Sequence, residues 1–123
     1  MQDLVEFFGE PTYVYTRAQA LEDGVLVDVT EWASADKGFI GGFNCPVAMT
    51  RAIWDKVEAP KGSNQDTRGR AHDVLWMASL TVRRLLQEHK LSGGFVVRLG
   101  RRNVLLRVDV DGDGVTIGFP GDF

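Results

Sequence analysis

The longest periodic segment of the chain covers residues 70–90 and has the spacing of an α-helix. Its apolar and small residues recur at intervals of three and four, which places them on one face of a helix. These residues are Ala71, Val74, Leu75, Ala78, Val82, Leu85 and Leu86. Because Trp76, Met77 and Leu80 widen the apolar surface of its first turns, we expect this helix to be central in the fold.

The chain after this helix has the pattern of a β-meander. Three apolar, largely β-branched runs at residues 95–99, 104–110 and 115–119 are separated by short turns that contain glycine, asparagine or aspartate. In the middle run, alternate positions from Val104 to Val110 are apolar, and Arg107 and Asp109 lie between them. We therefore expect one face of that strand to be in the core and the other to be mostly in solvent.

Shorter elements are predicted in the N-terminal half. Thr16 has the spacing of a capping box and begins a first short helix, and the run at residues 25–29 is a strand or an extended link. A second short helix is predicted over residues 31–36. A third is predicted over residues 51–58, with Thr50 as its N-cap.

These elements predict an α+β fold in one domain of residues 1–123. Its core is a C-terminal antiparallel β-meander of three to four strands packed against one long helix. Two or three short N-terminal helices complete that core.

The chain has 123 residues and a formal net charge of −3, but its charge is unevenly distributed. Residues 1–60 contain four basic and ten acidic residues, whereas residues 61–123 contain ten basic and seven acidic residues. An acidic half disfavours direct nucleic-acid binding, because phosphate recognition needs clustered lysine and arginine.

The cysteine count and the apolar runs bear on the compartment. Cys45 is the only cysteine, so no intrachain disulfide forms, as is usual in a reducing compartment. No apolar run reaches the ~20 residues needed to cross a bilayer, and the first residues lack the pattern of a signal peptide. We expect a cytoplasmic protein with no membrane partner.

Motifs that usually carry chemistry are weak in this sequence. Asp109, Asp111 and Asp113 have the spacing of half a calcium-binding loop, but the position that needs a bidentate glutamate is Pro120. We interpret the three aspartates as part of a hairpin turn. Cys45 has no second thiol or nearby histidine with which to bind zinc. We therefore assign no catalytic residue, metal ligand or cofactor.

Two charged groups are candidate binding surfaces. Four arginines gather on the first predicted hairpin, where Arg98 and Arg107 are expected to be cross-strand neighbours, and an acidic partner would suit them. We call this hairpin, with Arg98, Arg101, Arg102 and Arg107, the arginine hairpin. A second group, here called the acidic face, consists of Glu22, Asp23, Asp28, Glu31 and Asp36. It would present a nucleic-acid-like surface to a basic groove.

Three blocks of the sequence resemble a family of small proteins of unknown function found in bacteria and on phages and plasmids. The blocks are residues 15–29 (YTRAQALEDGVLVDV), 46–54 (PVAMTRAIW) and 69–78 (GRAHDVLWMA), and the end of the chain at residues 115–122 is also similar. The resemblance implies an accessory protein of a mobile element and transfers no site residue.

Two functions from different classes remain open. The first is a non-enzymatic protein that occupies a host protein surface and inhibits a defence system such as CRISPR or restriction. The second is an enzyme acting on a nucleotide-like substrate, distantly similar to ADP-ribosyltransferases, with a pocket that joins Tyr15, Arg17 and His72. A protein partner is expected for the first function, and the oligomeric state is left open.

Overall fold

The computed structural model describes residues 16–34, 38, 41–58 and 67–123, and these residues form an α+β fold. Its helices are α1 (Arg17–Glu22), α2 (Thr30–Ala33), α3 (Arg51–Val57) and α4 (Thr67–Gln87). Its strands are β1 (Leu26–Asp28), β2 (Val47–Thr50), β3 (Ser92–Leu99), β4 (Arg102–Asp111) and β5 (Gly114–Gly118). A short 3₁₀ helix, Pro120–Asp122, follows β5.

The described strands form one five-stranded sheet in the order β1-β2-β5-β4-β3. The predicted antiparallel meander is confirmed for β3, β4 and β5. The prediction of three to four strands is wrong, because β1 and β2 from the N-terminal half extend the same sheet. The sheet is also not purely antiparallel, since β2 runs parallel to β5, with Val47 beside Val115.

The long helix α4 lies across one face of this sheet, which we call the core face. Leu85 packs so closely on β3 that a Cβ added at Gly93 would lie 2.8 Å from Leu85 Cδ2. The helix ends at Gln87 rather than at residue 90, because His89 adopts a left-handed φ of 58° that helical residues do not have. Leu80 is 40% exposed, so the apolar surface of α4 is not buried on every side.

The short helices begin where local side chains cap them. Thr16 and Gln19 form the expected capping box of α1, and the hydroxyl of Thr50 accepts a hydrogen bond from Ile53 N at the start of α3. The helix predicted over residues 31–36 is shorter and earlier than expected, covering Thr30–Ala33. The remainder of that prediction falls on residues outside the described part of the chain, apart from Ser34, its C-cap.

Strand alternation divides the sheet residues between its two faces. Val108 and Ile117 are register partners on the core face, and both are fully buried. Thr116 and Asp109 are partners on the opposite face, which we call the back face. There α1 is attached through Arg17, which donates hydrogen bonds to Thr116 Oγ1 and to the carbonyl oxygen of Val115.

Candidate functional site

The β3–β4 hairpin carries three of the predicted arginines at its closed end. The turn between the strands consists of Gly100 and Arg101, and Gly100 has a φ of 67°, which glycine adopts without strain. Arg98, Arg101 and Arg102 are all exposed. Arg98 makes a long hydrogen bond of 3.4 Å from its Nε to the Gly100 carbonyl oxygen. Among the described residues, none of the three arginines has a carboxylate within salt-bridge distance.

Arg107 does not belong to this cluster, so the expectation that Arg98 and Arg107 are cross-strand neighbours is wrong. The register of the hairpin places Arg98 opposite Asn103 and Arg107 opposite Gly94. Arg107 instead forms an ion pair with Asp109, with 2.8 Å between Nε and Oδ1. Its guanidinium carbon also lies 4.8 Å from the centre of the Phe123 ring. Within the described residues, the arginine hairpin therefore offers three cations without an acidic partner rather than four.

An exposed apolar pair lies on the back face beside Arg98, whereas the register of the hairpin places Arg102 on the core-face side, opposite Leu99. Val96 and Leu105 are register partners, and they are 51% and 55% exposed, respectively. Alternation places Val96 on the same face as Arg98, two residues away along β3. The sequence already contained a signal for this pair, because Leu105 occupies a polar-side position in the alternation of β4. The predicted sites nevertheless include neither Leu105 nor Val96.

A shallow groove of about 260 Å³ continues this surface toward the open end of the hairpin. Gly94, Leu105, Arg107 and Pro120 contribute to its lining. Leu105 thus belongs both to the apolar pair and to the lining of the groove. Arg98, the apolar pair and the groove together form a surface that runs along the back face of β3 and β4.

The described residues of the acidic face lie at the opposite edge of the sheet. Glu22 and Asp23 end α1, Asp28 ends β1, and Glu31 lies in α2. Asp36 falls outside the described residues. Because β1 and β3 are the two edge strands, about four strand spacings, or ~19 Å, separate them. The acidic residues and the arginine cluster are therefore not parts of one contiguous site.

Asp28 has a local structural role in addition to its charge. Its Oδ1 accepts a hydrogen bond of 2.9 Å from Thr30 N and another of 2.6 Å from Thr30 Oγ1. The Thr30 hydroxyl in turn accepts a hydrogen bond from Val47 N. Asp28 therefore stabilises the connection between β1 and α2.

Arg17 and His72 do not meet in a pocket. Arg17 is held on the back face by Thr116, whereas His72 lies on α4, across the sheet. The imidazole of His72 stacks on Trp76, with 6.4 Å between the ring centres. The other residue of the expected pocket, Tyr15, lies outside the described residues. The sheet lies between the two described members of the trio, so the fold does not bring them together.

Cys45 lies in an environment that suppresses its reactivity. Partial burial raises the pKa of the Cys45 thiol above its usual value of 9.0, and the positive charge of Arg17 partly offsets that increase. The thiol is therefore protonated at neutral pH, although the thiolate is the nucleophilic form.

The aspartates that resemble half of a calcium-binding loop lie in and beside a hairpin turn, as expected. The turn between β4 and β5 consists of Gly112 and Asp113, and Asp111 Oδ1 accepts a hydrogen bond of 2.8 Å from Asp113 N. Asp109 is paired with Arg107. Within the described part of the chain, no three histidine, cysteine or acidic side chains are grouped so that they would hold a metal ion.

Residues 5–92 match the sequence model of a family of unknown function, DUF6573. This match covers more than half of the chain. The chain belongs to this family. No curated protein and no solved structure shows significant similarity to this chain.

The family match extends from the N-terminal region through α4 and ends at Ser92, the first residue of β3. It therefore includes β1 and β2 but not the rest of the arginine hairpin or β5. None of the described helices combines the length and the hydrophobicity that a membrane-spanning segment requires.

Proposed function

We propose that the protein is a non-enzymatic binding module that occupies the surface of another protein through its arginine hairpin. The single observation that carries this proposal is the combination of Arg98, Arg101 and Arg102 with the exposed pair Val96 and Leu105 on one hairpin. Protein interfaces favour arginine and apolar side chains at their centre. An acidic, partly apolar protein surface is the complementary partner.

The biological setting of the proposal comes from the sequence resemblance to small proteins of phages and plasmids. In this setting the protein is an accessory factor of a mobile element, acts in the cytoplasm and inhibits a host defence system such as CRISPR or restriction. Inhibition by occupying a surface requires a stable, folded binding face and no reaction. The paired strands β3 and β4 supply such a face, because their full-length register holds the exposed side chains in place.

The acidic face is the alternative contact surface within the same function. Glu22 and Glu31 are exposed near the β1 edge and would meet a basic groove. We favour the hairpin, because it combines charge with exposed apolar surface on one rigid element. Asp28, in contrast, already accepts hydrogen bonds from Thr30 within the fold.

An affinity experiment with matched variants tests the proposal. The wild-type chain, a hairpin variant (Arg98→Ala, Arg101→Ala, Arg102→Ala) and an acidic variant (Glu22→Ala, Glu31→Ala) are immobilised and exposed to a lysate of the host. Circular dichroism first establishes that all three are folded. Mass spectrometry should identify a stoichiometric protein partner with the wild type and the acidic variant, and not with the hairpin variant.

Other outcomes of this experiment contradict the proposal. Loss of the partner from the acidic variant alone would move the contact to the β1 edge. Retention by both variants, or no stoichiometric partner with any bait, would exclude the hairpin as the binding surface. Recovery of the partner only when nucleic acid is present would indicate an indirect association.

A further inference from the structure

We propose that β3 binds an extended acidic segment of its partner by strand addition, so that the partner becomes a sixth strand beside β3. This inference rests on the proposed function and specifies how the hairpin is recognised. It depends on three properties of one strand, namely its free edge, its exposed side chains and its charge.

The first property is the free edge of β3. The strand is paired with β4 along its full length, from Ser92 opposite Asp109 to Leu99 opposite Arg102. On its other side, β3 has no strand partner among the described residues. Such an edge presents backbone N–H and C=O groups to an extended chain, and peptide-binding domains use it in this way. Proline, which would block pairing, does not occur in β3.

The second property is the order of side chains along that edge. On the back face, β3 presents Gly94, Val96 and Arg98 in succession. An added strand would place alternate side chains beside these three. It would therefore need an apolar residue beside Val96 and, two residues along, a carboxylate beside Arg98. Gly94 has no side chain and leaves room next to the groove that Leu105 and Pro120 line.

The third property is charge, and it distinguishes an acidic partner from a second copy of this chain. Arg98 is the one charged residue of β3, and like Arg101 and Arg102 at the adjacent turn it has no acidic partner within salt-bridge distance among the described residues. The sequence of β3 contains no aspartate or glutamate. Two copies paired through β3 would therefore bring no carboxylate on β3 to these arginines. A foreign acidic segment supplies one, and guanidinium groups bind carboxylates in a bidentate geometry.

Nucleic acid is a weaker candidate for the same cations. Single-stranded nucleic acid binds where aromatic side chains stack on its bases between basic residues. Near Arg98 the back face instead exposes the aliphatic Val96 and Leu105 and the polar Asn103, and none of the three is aromatic. A nucleic acid would also leave the backbone groups of the β3 edge unused.

Fluorescence anisotropy with defined peptides tests this inference on the full chain. The probe is a fluorescein-labelled peptide as long as β3, built from repeats of threonine, glutamate, threonine and valine. One control peptide has lysine in place of each glutamate. A second control carries N-methyl groups at alternate backbone amides, which prevents strand pairing while retaining the charge.

The wild-type chain should bind the glutamate peptide, and each control peptide should bind at least about tenfold more weakly, a difference of ~1.4 kcal/mol. Arg98→Glu should weaken binding of the glutamate peptide by about tenfold and strengthen binding of the lysine peptide by a similar factor. Val96→Ser should weaken the binding of both the glutamate peptide and the lysine peptide. Glu22→Gln, at the opposite edge of the sheet, should change neither.

Several results would overturn strand addition. Equal binding of the N-methylated and unmodified peptides would mean that backbone pairing is not used. A dimer in sedimentation that Val96→Ser dissociates would mean that a second copy occupies the edge. Tighter binding of a fluorescein-labelled single-stranded DNA at the same site would favour nucleic acid.

The test separates this inference from the function on which it rests. If the peptides fail to bind but the hairpin variant still loses its partner from lysate, the hairpin binds a protein without strand addition. If both experiments fail, the proposed function is wrong as well.

Discussion

The side-chain hydroxyl of Thr50 donates a hydrogen bond of 2.8 Å to Asp122 Oδ2, although 72 positions separate the two residues along the chain. The same hydroxyl oxygen accepts a hydrogen bond from Ile53 N and caps α3. Asp122 Oδ2 also accepts a hydrogen bond of 2.9 Å from Phe119 N. One side chain therefore connects the start of α3 to the 3₁₀ helix that follows the sheet.

Replacement of Thr50 by valine should lower the free energy of unfolding by about 1–2 kcal/mol. Valine keeps the shape of threonine but leaves Ile53 N without its cap and Asp122 without its donor. Chemical denaturation followed by circular dichroism measures the change. Thr50→Ser retains the hydroxyl and is the matched control, so a serine variant as unstable as the valine variant would argue against the hydrogen bonds.

Replacement of Gly114 by alanine should destabilise the protein by about 3 kcal/mol or more. Gly114 has a φ of 128°, and a Cβ there would overlap the carbonyl oxygen of Pro46, which β5 needs as acceptor for Val115 N. Gly112→Ala is the control in the same turn, since a Cβ at Gly112 meets nothing within 4 Å. Similar denaturation midpoints for the two variants would show that Pro46 does not approach Gly114 this closely.

Two adjacent leucines of α4 should respond very differently to truncation. Leu85 is 1% exposed and packs against Gly93, so Leu85→Ala should leave a cavity and lower the free energy of unfolding by about 3 kcal/mol. Leu86 is 56% exposed, and Leu86→Ala should cost less than about 1 kcal/mol. Denaturation of both variants by urea measures the difference. The reverse order would mean that α4 presents a different face to the sheet.

Cys45 should react slowly with iodoacetamide in the folded protein, because its raised pKa keeps the thiol protonated. Replacement of Arg17 by glutamine removes the charge that lowers this pKa, so it should displace the pH dependence of alkylation further upward. Arg17→Lys keeps the charge and is the control. Faster alkylation in the glutamine variant alone would contradict the assigned effect of Arg17, provided that the two variants are equally stable.

The same shift has a consequence for stability at alkaline pH. The folded state holds the Cys45 proton more tightly than the unfolded state does, whose thiol has an ordinary pKa near 9.0. The stability linked to this group is therefore fully present below that value. That stability falls as the pH rises from 9.0 toward the higher pKa of the folded state. Cys45→Ala should remove this part of the alkaline dependence in denaturation experiments.

Among the candidate surfaces, the sequence identified the arginines but not their neighbours. Arg98, Arg101 and Arg102 lie at the same end of the hairpin, because a tight turn brings its flanking residues close. The sequence did not reveal that Arg107 stands apart, since this depends on the register across the hairpin. The alternation of β4 indicated that Leu105 faces solvent, but only the register placed it beside Val96.

The sequence by itself determined the local structure of the protein. The capping residues Thr16 and Thr50, the helical spacing within α4 and the alternation within β4 all depend on residues a few positions apart, so they can be predicted from the sequence. Tertiary structure alone decided that β2 enters the sheet. Its four residues are all buried, so they show no alternation, and they pair in parallel with β5 from the far end of the chain. Pairing between segments so distant depends on packing around a shared core, and a local pattern contains no information about it.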